Sequence, residues 1–357
     1  MEELLIISKL VRISVLGMEE EIPAGVNWPK VFVDAGVNGV SAICYEAVKR
    51  LPASVQPDFG LMLRWDVSAQ GIKEGFRHRH KVTGELRDIL AGRGVDMLLL
   101  KGETLANNYP QPELRESGDV DFVALAGLDP QAGFAACNSF VESLGMKLES
   151  QEKHSSFEYR GVHFENHTLE HTAGYNRVHH RTMALLKESL PKAVRRSDGC
   201  LELDPVTQAV FVVKHAAQHL CYSGGKIALR MLLDLALLLR RHPEVLEEWD
   251  SALKSVGLRR FAKVMLCATE MLLGEGLLPG SAGHRLDPGS GSGFEFCPGS
   301  RHGWSHRARR RARMFIRLFL TESNRPVRYF AKFAFLPLRP SEVLGICFRK
   351  VCGRRAY

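Results

Sequence analysis

The chain lacks an apolar run long enough to cross a bilayer. The longest near its middle, Met231 to Leu239, is interrupted by Asp234, and a spanning helix needs roughly 20 apolar residues. The start, Met1-Glu2-Glu3, is acidic and has no positively charged signal-peptide region. None of the eight cysteines forms a CxxC pair, which argues against a zinc knuckle or a disulfide framework. There is no HExxH motif and no internal repeat. Acid is missing from one stretch in particular: Arg301 to Arg317 holds seven arginines and no Asp or Glu, nearly the whole net charge of +8. These absences lead us to expect a cytoplasmic protein with reduced thiols, no transmembrane segment and one local basic block.

What is present suffices for a sizeable core, since 45% of the 357 residues are hydrophobic. The periodicity predicts an α+β protein in which a small mixed sheet is flanked by N-terminal helices and a C-terminal helical domain. Five regions follow: N-terminal helices over 1–94, a catalytic core over 95–200 and a helical domain over 201–278. A Gly/Ser/Pro-rich flexible loop over 279–304 and a basic helical region over 305–357 complete the chain. Within the first region, Gly71 to Leu90 reads as a long polar helix. The texture changes after Gly94, where Val95 to Leu100 is a short apolar strand signal ended by Lys101-Gly102. Pro110 and Pro112 force a loop, and Val120 to Leu125 reads as a second strand.

That strand opens on Asp119-Val120-Asp121-Phe122. Carboxylates at i and i+2 on a strand share a face. At a strand end they can hold two Mg²⁺ ions for phosphoryl transfer, and a bound cation gives a reason to keep two repelling charges together. The alternative is a surface strand with two solvated aspartates. Lys101 and Arg115 suit triphosphate contacts, one as a point charge and the other as a two-pronged fork, or else lie on a solvated rim.

The order Leu99-Leu100-Lys101-Gly102, Leu105, Tyr109, Arg115 and Gly118-Asp119-Val120-Asp121-Phe122 resembles the signature of the uncharacterised nucleotidyltransferase family, within the polymerase-beta-like superfamily. Lys214 to His219 and Leu229 to Ala236 resemble its helical region, so the resemblance covers roughly residues 25 to 275. It implies transfer of a nucleoside monophosphate from an NTP to an acceptor, which the sequence does not identify. It implies Mg²⁺ or Mn²⁺ held by Asp119, Asp121 and a third carboxylate, matched here by Glu165. It places Lys101, Gly102, Arg115 and Gly118 near nucleotide phosphates, and His167 behind the metal ligands. The turn has Glu103 where the superfamily often has serine.

Arg230 and Asp234 stand one helical turn apart, as an ion pair or as lining of the nucleotide pocket. His215 and His219 have the same spacing; they could bind zinc, but core or hydrogen-bonding roles fit better without an HExxH. The arginines of Arg307 to Arg317 could meet a polyanion such as RNA or an anionic membrane surface, or form a solvated face. Two other readings compete: a non-catalytic nucleotide- or RNA-binding protein that uses this basic helix, and a metal-dependent hydrolase that uses the histidines.

Overall fold

The computed structural model describes residues 2–151, 154–170, 177–222, 227–274, 277–278 and 306–321. The glycine-rich loop expected over 279–304 and the chain beyond 321 lie outside the described residues. Helices α1 (Glu2–Val11), α2 (Trp28–Val37), α3 (Ser41–Val48) and α4 (Phe59–Ala91) come first. Helix α4 starts at Phe59 and not at Gly71, because Asp58 caps it: its carboxylate accepts from the Leu61 amide at 3.0 Å. Strand β1 (Val95–Leu99), the short α5 (Glu103–Ala106), β2 (Asp119–Ala126) and α6 (Pro130–Ser143) follow. Then come β3 (Glu149–Ser150), β4 (His154–Tyr159), β5 (Val162–His167), α7 (Arg177–Ser189), β6 (Val194–Arg195) and β7 (Leu201–Glu202). The helical half comprises α8 (Pro205–Tyr222), α9 (Leu229–Arg241), α10 (Val245–Val256), α11 (Arg259–Leu273) and α12 (His306–Phe315).

The seven strands form one mixed sheet in the order β3-β4-β5-β2-β1-β7-β6. Strand β2 runs antiparallel to β1 and parallel to β5, and β7 runs parallel to β1. The sheet therefore takes in residues as far along the chain as Glu202. Strands β6 and β7, of two residues each, carry too little alternation to be read from sequence. Alternation along β2 and β5 sorts the core. Val120, Phe122, Ala124 and Phe164 pack against Val82, Leu86 and Leu90 of α4 and Cys137, Phe140 and Val141 of α6. On the opposite face Leu98, Val123, Leu125 and Leu201 meet Met183 and Leu186 of α7 and Phe211 of α8.

Helix α6 lies unusually close to β2. A Cβ at Gly133 would meet the Leu125 Cα at 2.6 Å and clash with the Ala124 carbonyl, so only glycine admits this approach. A third and larger core joins α1 to α3 and the first turns of α4 with α8 to α12. Helix α12 contributes Ala312 and Phe315 to it. No described helix is long and apolar enough to cross a membrane.

Candidate active site

The register of two parallel strands assembles the site. Asp121 of β2 stands opposite Glu165 of β5, so their side chains project on the same face, and Asp119 and His167 follow by alternation. One carboxylate oxygen from each of Asp119, Asp121 and Glu165 lies within 4.8 Å of the others. Asp121 is 1% exposed, whereas Asp119 and Glu165 are half-buried.

Lys101 stands two residues past the end of β1, and its Nζ lies 2.9 Å from Asp121 Oδ2 and 3.9 Å from Asp119 Oδ2. His167 Nε2 is 2.9 Å from Asp121 Oδ1 and 3.3 Å from Glu165 Oε2. Burial alone would raise the Asp121 pKa. The Lys101 charge and the His167 bond outweigh it and hold the carboxyl well below the usual carboxylate range. Glu165 is also lowered: burial opposes the shift and the His167 bond drives it. Burial would likewise strip the proton from Lys101, but Asp121, Asp119 and Glu165 keep it charged to a higher pH than a free lysine. The cluster is thus an ionised, partly desolvated carboxylate set with an ammonium beside it. Oxygen donors of this kind, drawn together around a positive charge, suit a divalent cation.

His154 of β4 completes the group from the next strand, where it pairs in register with His167. Its Nε2 lies 3.7 Å from Glu165 Oε1, and the two imidazole centroids are 5.2 Å apart. Neither β4's role nor His154 was visible in the sequence, since this partnership exists only through strand pairing.

Gly102 turns the chain after Lys101 with φ +70°, and a Cβ there would sit 3.2 Å from Ser117 Oγ. This lets the Ser117-Gly118 segment lie against the turn. Arg115 is buried and its fork is already engaged: Nε donates to Asp234 Oδ1 at 2.8 Å and Nη2 to Asp234 Oδ2 at 2.9 Å. Asp234 therefore pairs with Arg115 and not with Arg230, its neighbour one turn away. Arg230 instead donates through Nη1 to the Glu116 carbonyl. These residues, with Lys101, Gly102, Gly118, Asp119 and His215, line a narrow cleft of about 50 Å³. Burial, then the charges of Lys101 and His219, push His215 well below the ordinary histidine range, so its imidazole is neutral at pH 7. The close sets of metal-ligand side chains among the described residues include neither His215 nor His219.

The sequence profile described as uncharacterised nucleotidyltransferase matches residues 24–274. The chain belongs to that family. The match spans the N-terminal helices from just before α2, the whole sheet and the helical half as far as α11. Neither a curated protein nor a solved structure matches the chain. For this nucleotidyltransferase the strand-borne aspartates and the buried Tyr109–Asp234–Arg115 cluster all fall inside the matched region.

Proposed function

We propose that this nucleotidyltransferase moves a nucleoside monophosphate from an NTP to an acceptor hydroxyl or phosphate, breaking the bond between the α- and β-phosphates and releasing pyrophosphate, with the help of divalent metal ions. The observation that carries this reading is the convergence of Asp119, Asp121 and Glu165 within 4.8 Å, with the Lys101 ammonium against them. Asp119, Asp121 and Glu165 would hold Mg²⁺ or Mn²⁺, and a bound pair of such ions supplies charge stabilisation to phosphoryl oxygens and activates an attacking hydroxyl. The remaining work falls to the chain. Glu165, ionised and half-buried, accepts the proton of the acceptor hydroxyl. His167 orients the Asp121 and Glu165 carboxylates. Lys101 exchanges its carboxylate partners for the nucleotide's polyphosphate, as a mobile point charge can. Gly102 and Gly118 let backbone approach the phosphates. Arg115, locked on Asp234, acts as a positioning residue that holds the Ser117-Gly118 turn, and Arg230 lines the cleft. A cytoplasmic setting and the division into the regions set out above form part of the same proposal.

The test is incubation with each labelled NTP, Mg²⁺ or Mn²⁺ and cell extract, with the label followed into product. Metal-dependent labelling of one acceptor class supports the reading. If no NTP and neither ion gives labelling or a shift in melting temperature, the non-catalytic binding role takes its place.

The basic helix adds a second surface. Its apolar residues Ala312, Phe315, Ile316 and Leu320 are buried against the helical core, while Arg307, Arg309, Arg310, Arg313 and Arg317 are exposed. That face is not available for insertion among lipids, so a polyanion such as RNA fits better than a membrane surface. Replacing Arg309 and Arg310 by Ala should lower retention on heparin and flatten its salt dependence; equal retention would leave a solvated face.

A further inference from the structure

Beside the carboxylate cluster lies a second cavity, of about 430 Å³. Its walls are Gly71, Gly75 and Arg79 of α4 on one side and Ser117, Gly118 and Arg230 on the other. Gly71 and Gly75 are one turn apart on the helix and add no side chain to this wall, which Ser68 and Ile72 also line. A Cβ built at Gly71 or Gly118 meets nothing within 4 Å. The cavity is therefore open space next to the residue that precedes Asp119.

Its two arginines are in an unusual state. The Nε of Arg79 and the Nε of Arg230 are both shielded from solvent and have no hydrogen-bond partner. No carboxylate among the described residues lies within 4.0 Å of either guanidinium. Glu116 also lines the cavity, but its carboxylate accepts from the Ser41 amide at 2.7 Å. Burial pushes both arginines below the ordinary arginine range, and the charge of Arg115 lowers each of them further. Shielded Nε donors without an acceptor are costly, and an anion in the cavity would satisfy them. Guanidinium forks are suited to the oxygens of a phosphoryl group.

We propose that this cavity is a phosphoryl-binding pocket in which Arg79 and Arg230 clamp phosphate oxygens beside Asp119. The proposal rests on the nucleotidyltransferase reading for the source of the phosphoryl group, which is the polyphosphate of the nucleotide or a phosphate on the acceptor. The binding itself needs no metal and no transfer. It gives α4 a role that its sequence, read as a polar helix, did not suggest.

The experiment is calorimetric binding of inorganic tripolyphosphate and of glycerol phosphate in EDTA, to wild type, Arg79→Gln and Gly71→Leu. Wild type should bind at least one probe, more weakly as salt rises. Arg79→Gln should weaken binding roughly tenfold, the loss expected for one charge-assisted pair. Gly71→Leu should fill the cavity and abolish binding while its melting temperature stays level or rises, because a glycine leaves a helix interior. Competition of the bound probe by NTP assigns the pocket to the nucleotide, and retention in the presence of NTP assigns it to the acceptor. Equal affinity in all three proteins, or no binding to folded wild type, would overturn the pocket. Loss of binding in the variants beside a wild type that never transfers label would keep the pocket and sink the transfer reading instead.

Discussion

Arg115 clasps Asp234 through two parallel bonds of 2.8 and 2.9 Å, and the Tyr109 hydroxyl donates to the same carboxylate at 2.7 Å. This buried cluster ties the loop before β2 to α9. Asp234→Ala leaves a guanidinium and a phenol facing no acceptor, so stability should fall by about 3–5 kcal/mol. Arg115→Lys should recover little of a parallel loss at Arg115→Ala, since one ammonium cannot bridge both oxygens. Urea unfolding midpoints measure both, and an unchanged midpoint for Asp234→Ala would mean that the clasp is dispensable.

Asp121→Asn should abolish nucleotidyl transfer. The sequence alone suggests that it should leave metal-free stability level or raised, because two aspartates repel. The structure reverses that sign. Asp121 is the buried partner of Lys101 and His167, so its loss strands a desolvated ammonium. We expect a drop of about 1–3 kcal/mol without metal, softened by the nearby Asp119 and Glu165. A melting curve in EDTA decides between the two signs, and a transfer assay on the same sample checks the activity.

Gly133→Ala tests the seat of α6. The added methyl would collide with the Ala124 carbonyl and the Leu125 Cα. Overpacking of this kind costs about 1–3 kcal/mol, more than alanine returns in helix propensity. Because β2 carries Asp119 and Asp121, transfer should fall along with stability. Thermal unfolding that matches wild type would show that α6 can shift freely.

His80 should make stability depend on pH. Its Nδ1 lies 3.1 Å from Oε2 of the buried Glu103, and that bond, opposed by burial, raises the imidazole pKa. The folded protein therefore holds the proton to higher pH than the unfolded chain does. The stabilisation is fully present below about pH 6.5 and fades as pH rises through the folded value. His80→Gln should flatten this part of the stability profile. A slope that survives the substitution belongs to another group.

Much of the site could be read from residue order. Asp119 and Asp121 alternate on a strand, Lys101-Gly102 ends the strand before it, and both features are local. Glu165 came from the resemblance, and its place opposite Asp121 follows from parallel register. Arg115 and Asp234 were each singled out, but not as a pair. Helical spacing points Asp234 at Arg230, whereas tertiary packing gives it to a residue 119 positions away. The first turns of helix α4 are hidden in the sequence because Phe59, Leu63 and Val67 lie exposed there and blur the amphipathic pattern. Helix α7 is hard to see in the sequence because its histidines and arginines mask a buried stripe of Val178, Thr182 and Leu186.

What the sequence by itself determined is what short-range periodicity encodes: the switch from helices to strands near Gly94, which face of β2 is acidic, and which turn needs glycine. Only the tertiary structure decided which distant groups share an environment. Strand register brought His154 and His167 to Glu165, and helix packing buried Arg79 and Arg230 against one cavity. The physical reason is that the charge state and availability of a side chain depend on desolvation and on neighbours within a few ångströms. The fold sets those distances, and spacing along the chain does not.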